Sequence, residues 1–412
     1  MKRNRPMMIG AVAASVSVLA ACGGGPTAGS TDSLDLWLPT LGENTDAAAW
    51  DPILEGFEQE HDVDVNVRII PWANYEEAYL TGISGGEGPD VGYMYTEMMG
   101  DYLAQDAIVP FGEYLAEADT PEYLYLDQGV VNGEQVAMPF VVGGARVLYY
   151  NKDLLAEAGV EQPPSTWEEF LDASEQLQAA GITPLQEPWG GHRGMLNESY
   201  FPLLWQAGGE LFTEDGSATA FNSPEGLEAA EFLMQLRETG AMSEAVTSLV
   251  PEDVESAFVG GETAFLFGAD AGYPTFDEGD FELGLVDSLE HETSGTFVAS
   301  DSLVVLEKCP DKQLCTDLAV YLTSPAQMEQ IHEFAPYPPI SAEEEYLAAP
   351  EFRDVYAQTE MLHNLPIVAG STAVYNSLFT NLQQMLLGQK TPEQALSDAA
   401  DEGDRALANA QG

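Results

Sequence analysis

Polar and apolar positions alternate in short runs near the start of the chain. Leu34-Asp-Leu-Trp-Leu38 and Val63-Asp-Val-Asn-Val-Arg-Ile-Ile70 read as strands, and Pro89-Asp-Val-Gly-Tyr93 as a third. Between them the period changes. Trp50, Ile53, Leu54 and Phe57 recur every three to four residues within 46–61, and a second helix is predicted over 72–83. A Gly-rich break follows at 82–88. Strand, helix, strand, helix, strand predicts a parallel sheet with helices on both faces. A second series starts near Val136. It holds a strand at Arg146-Val-Leu-Tyr-Tyr150, helices over 167–180, 199–208 and 224–239, and a strand over 263–267. An amphipathic helix over 391–410 follows near the end, and no internal repeat is evident.

The first 22 residues change the picture of where the chain works. Lys2, Arg3 and Arg5 precede an apolar run from Met7 to Ala20, then Leu19-Ala-Ala-Cys22 and three glycines. A basic start, a short apolar stretch and small residues before the cut make an export signal. The run, about 14 residues, is shorter than the roughly 20 that span a bilayer. Leu-Ala-Ala-Cys resembles the bacterial lipobox, in which the cysteine is lipidated and becomes the new N-terminus. Residues 1–21 are therefore expected to be a lipoprotein signal peptide, and 22–32 a flexible tether rich in Gly, Pro, Ser and Thr. The expected location is extracytoplasmic, on a lipid carried by Cys22.

Length and charge narrow the function. The chain has 412 residues, long enough to favour two lobes over one core. It carries 69 acidic against 13 basic residues, a formal net charge of −56. Such a surface repels phosphate backbones and anionic lipid, which argues against nucleic-acid binding or electrostatic attachment to membranes. It also suits concentrated salt, where screening removes self-repulsion. Apolar and aromatic residues recur throughout, which excludes disorder. Beyond Cys22 two cysteines remain, Cys309 and Cys315, and a close pair in an oxidising compartment reads as a disulfide. It would pin the loop after a strand near 302–307 to a helix start at 315. The five histidines are scattered singly, so no metal site or cofactor is expected.

Several blocks then occur in a familiar order: Gly88-Pro-Asp-Val91, Tyr149-Tyr-Asn-Lys-Asp-Leu154, Pro164-Ser-Thr-Trp-Glu-Glu-Phe170, Ala207-Gly-Gly-Glu-Leu211 and Phe221-Asn-Ser-Pro-Glu-Gly226. Phe258-Val-Gly-Gly-Glu-Thr-Ala264, Leu322-Thr-Ser-Pro325 and Thr391-Pro-Glu-Gln-Ala-Leu396 continue it. Together they resemble a family 1 extracellular solute-binding protein of the maltose-binding type, over about residues 33 to 407. The resemblance implies an α/β fold of two lobes, each a mostly parallel sheet flanked by helices, with ligand held between them. The first lobe would take 33–142 and 300–345, the second 145–298 and 350–412.

The resemblance also directs attention to particular residues. Leu185-Gln-Glu-Pro-Trp189 is similar to a segment in which a Glu and an aromatic ring face a sugar. Glu187 would accept from hydroxyls, and Trp189 would offer its face to the C–H side of a pyranose. After the third strand, Tyr95 and Glu97 are candidates, although Met94 and Met98 stand where maltose-type relatives carry a Trp and a cation. Thr40 and Glu43 follow the first strand; Glu43 is equally a helix-start acid. Asp270 and Tyr273 follow the strand ending at Phe267, and Tyr375 lies on a loop that closes over ligand in relatives. Arg146 either touches ligand or neutralises nearby acid. Trp37, Trp167 and Trp205 read as core.

The expected protein is not an enzyme. It is a monomeric capture subunit of an ABC importer, taking a sugar or oligosaccharide by lobe closure and handing it to permease subunits with a cytoplasmic ATPase. The alternatives are the same fold around a polyol or a betaine-like compatible solute, and a secreted glycan-acting enzyme. Gly82-Ile-Ser84-Gly-Gly86 matches a nucleophile elbow in letters only, because a helix precedes it and a strand follows, the reverse of what the elbow needs.

Overall fold

The computed structural model describes residues 32–41, 46–115, 120–191 and 193–411. Cys22, the leader and Glu43 lie outside them. Nine strands form the two main sheets: β1 (Ser33–Pro39), β2 (Asp64–Ile70), β3 (Val91–Met94), β4 (Met138–Gly143), β5 (Arg146–Asn151), β6 (Thr183–Leu185), β7 (Thr263–Ala269), β8 (Leu283–Val286) and β9 (Ala299–Val305). The first sheet runs β2-β1-β3-β9-β4 and the second β8-β5-β7-β6.

The βαβ reading of the first segment holds. β1 pairs in parallel with both β2 and β3, and helix Asp51–His61 buries Ile53, Leu54 and Phe57 against them. The expectation of mostly parallel sheets needs correction. β9 is antiparallel to β3 and to β4, and in the second sheet β5 is antiparallel to both neighbours, leaving β6–β7 the parallel pair. The reason is topological. β4, β5 and β9 carry the chain between lobes, so they need no helical crossover and are free to run against their neighbours.

Three passages join the lobes: near Gly143–Ala145, at Val298, and between helix Lys312–Leu322 of the first lobe and helix Ser371–Leu386 of the second. The first turns at Gly144, with φ +66, a left-handed conformation that glycine adopts without strain. Beside the second, Thr296–Phe297 pairs in parallel with Leu362–His363. The apolar interior does not divide at the sheets. Tyr149, Val254, Phe258, Leu266 and Phe276, all from the second lobe, belong to the core cluster that begins at Leu34, joined through Phe352, Val355 and Tyr356. The other face of the second sheet packs separately, with Trp167, Phe170, Trp189, Tyr200 and Tyr375.

Cys309 and Cys315 are disulfide-bonded. The helix they adjoin is Lys312–Leu322, beginning three residues before the expected start because Asp311 caps it, accepting from the Leu314 N–H at 3.2 Å. Trp37, Trp167 and Trp205 are all buried, as their helical and strand periodicity implied.

Candidate ligand-binding site

β3 delivers the chain to Tyr95 and then to helix Thr96–Leu103. That strand end is where open α/β sheets present ligand-contacting loops. Here Tyr95 and Glu97 of the first lobe face Arg193, Gly194, Asn376 and Phe379 of the second across a cavity of about 520 Å³. Tyr95 donates its hydroxyl proton to Glu76, on helix Tyr75–Gly85. Against Tyr75 at the start of that helix stands Trp72, 48% exposed, although a ring of that size ordinarily lies largely buried. Its Nε1–H donates to the Thr40 carbonyl at 3.1 Å, and its ring meets Tyr93 edge to face at 5.8 Å.

The Tyr93 hydroxyl in turn donates to Asp301 at 2.5 Å. Asp301 sits at the register shift in β9, where the pairing with β4 slips between Asp301 and Ser302. A bulge of this kind re-aims a side chain out of the ladder. Burial pushes the Asp301 carboxyl up to about 7; the Tyr93 hydrogen bond opposes this and the Glu97 charge adds to it. Burial likewise raises Glu97. The first lobe therefore contributes a ring and a carboxyl group to the cavity, Tyr95 and Glu97, with Glu76 bonded to Tyr95.

Other expected residues lie elsewhere. Glu187 and Trp189 offer no surface in this conformation: Glu187 is 1% exposed and Trp189 0%. The Trp189 ring stacks on Phe379 at 5.6 Å and 10°, so it backs the cavity wall instead of forming it. The physical cause is the apolar second-lobe core, which takes a large ring at the end of a buried strand more readily than solvent does. Both Glu187 oxygens lack hydrogen-bond partners among the described residues, and burial, with Glu198 nearby, holds its carboxyl well above the usual range. Tyr375 is buried too, edge-on to Phe201 and Phe212.

On the hinge side, Asp270 accepts from the Tyr356 hydroxyl at 2.5 Å, and burial raises its carboxyl. Tyr273 packs edge-on against Phe352 at 5.6 Å. Arg146 pairs with Glu198 at 2.9 Å and donates to the Gly144 carbonyl, which answers the question of its local charge. Thr40 meets Trp72 through its backbone. Sequence reasoning missed Arg193, Asn376 and Phe379 at the cavity, Glu76 bonded to Tyr95, and the Asp301 carboxyl bonded by Tyr93. One signal was available: Asp301 is the lone charge in the run Val298-Ala-Ser-Asp-Ser-Leu-Val-Val305, whose neighbours are buried.

Two sheet-centred lobes with a cavity lined from both sides, and the chain passing between them on short connections, define a solute-capturing receptor. The chain belongs to the bacterial extracellular solute-binding protein family, whose sequence profile matches residues 42–329. It is similar to the sn-glycerol-3-phosphate-binding periplasmic protein UgpB of Salmonella typhimurium, 24% identical over 396 residues that cover 87% of this chain and 89% of that protein. Among solved structures it resembles a cyclic alpha-maltosyl-1,6-maltose binding protein from Arthrobacter globiformis, with a TM-score of 0.74, 21% identity, and 92% and 100% of the two chains covered. It also resembles an ABC transporter solute-binding protein from Thermotoga lettingae bound with alpha-D-tagatose, at a TM-score of 0.70, 21% identity and the same coverage.

Proposed function

We propose that this protein is the capture subunit of an ABC importer for a carbohydrate, held outside the cytoplasm by a lipid on Cys22. The observation that carries the reading is the cavity between Tyr95/Glu97 and Arg193/Asn376/Phe379. Carboxylates and an amide hydrogen-bond vicinal hydroxyls, and rings cover the C–H faces of a sugar. The sugar-bound relatives support the same ligand class. Ligand bridges both walls only when the lobes approach, so binding shifts the population toward the closed form, which the permease would recognise. Trp189 then acts from behind, through the stack of its ring on Phe379.

The test is a thermal-shift panel of mono- and oligosaccharides with polyols and betaines as controls. A sugar at about 100 times its dissociation constant should add about 2.7 kcal/mol to stability, and Tyr95→Ala, at the cavity wall, should remove that gain. Stabilisation by a betaine or polyol and by no sugar would overturn the carbohydrate assignment. The anchor is tested separately: mass spectrometry of the membrane fraction should find a lipid on Cys22, and Cys22→Ala should release the protein.

A further inference from the structure

We propose that the captured carbohydrate is a glycoside with an apolar aglycone, and that a pocket in the second lobe takes this group. This rests on the carbohydrate reading above and goes further, to what the sugar carries. The pocket, of about 200 Å³, lies where the chain has just left β6, at Pro188, and where β7 ends, at Ala269. Both are carboxyl ends of a parallel pair, the position at which open α/β sheets receive ligands. Gly194 lines this pocket and also lines the cavity between the lobes, so a ligand seated against Arg193 has the pocket beside it.

Its walls favour an apolar guest. Met195, Val254, Leu266 and Phe276 contribute to the lining, each from a different element. The Phe276 ring is fixed in place: Tyr149 and Phe258 meet it edge to face at 4.9 and 5.9 Å. It lies close over Gly268 and Gly272, where a Cβ would come within 3.2 and 2.5 Å of it. The charged groups at the pocket are Arg146, Glu198 and Glu255. The first two are paired with each other at 2.9 Å, and Glu255 stands at an exposed position. A sugar hydroxyl pushed among the four apolar side chains would give up water for groups that return no strong hydrogen bond. An apolar group loses nothing there and gains burial. A dry apolar cavity of about 150 Å³ takes benzene, which sets the scale: this pocket suits a phenyl-sized substituent.

The experiment is isothermal titration of the whole exported chain with methyl and phenyl glycosides of glucose, galactose, mannose and xylose, each as both anomers, beside the free sugars. For the sugar that binds, the phenyl glycoside should bind at least about tenfold tighter than the methyl glycoside. Val254→Phe and, as a second variant from another helix, Met195→Phe fill the pocket and should shrink that ratio while the free sugar binds as before. Unliganded melting curves confirm that both are folded. A smaller ratio in the unaltered protein overturns the inference and leaves the carbohydrate reading standing. So does a free sugar that binds while its glycosides do not, or a preference that survives both substitutions. If no sugar or glycoside binds, the carbohydrate reading fails and takes this inference with it.

Discussion

Glu187 shows what one buried side chain does to the energetics. Among the described residues its carboxyl oxygens have no hydrogen-bond partner, and burial, with the Glu198 charge, holds the group well above the usual carboxyl range. A folded-state value above the unfolded one, about 4.3, makes its contribution complete in acid and lost as pH rises through the folded value. Glu187→Gln should therefore raise the melting temperature at pH 8 and change little at pH 4.5. Trp189, fully enclosed against Phe379, behaves differently. Trp189→Ala should cost about 3–5 kcal/mol in denaturant unfolding, a core loss and not merely a lost ligand contact. Sequence alone assigned both residues to the ligand surface, because a carboxylate and a ring two positions apart after a strand look the same whether they face a gap or a core. Which way that segment turns depends on helix Ser371–Leu386, nearly two hundred residues later, whose Gln383 holds the Trp189 carbonyl at 2.5 Å.

At the scale of elements, local pattern was more informative. The helices over 51–61, 167–179 and 224–238 fall where their apolar spacing put them, and Thr166 and Ser223 cap the last two. Strand direction was not legible in the same way, since alternation says which face is buried and nothing about which neighbour pairs. The Cys309–Cys315 bridge secures the run from β9 into helix Lys312–Leu322. It closes a short loop, and chain-entropy arguments give it about 2 kcal/mol. Cys309→Ala/Cys315→Ala should lower the unfolding free energy by that amount in denaturant titration.

For the molecule as a whole, charge is the dominant global property. With a formal charge of −56, like-charge repulsion works against the compact state. Raising sodium chloride from about 0.1 to 1 M shortens the screening length from about 10 to 3 Å, and the melting temperature should climb accordingly in a simple salt series. The interleaving of the first sheet has a separate consequence. Its order, β2-β1-β3-β9-β4, leaves an empty slot between β3 and β4 that only residues 299–305 fill. Three strands and their helices thus emerge from synthesis some two hundred residues before the piece that completes them, with β3 presenting an unsatisfied edge throughout. The amino-terminal half cannot mature first. A chain cut before residue 299 should precipitate, and refolding of the intact one should wait on this late insertion.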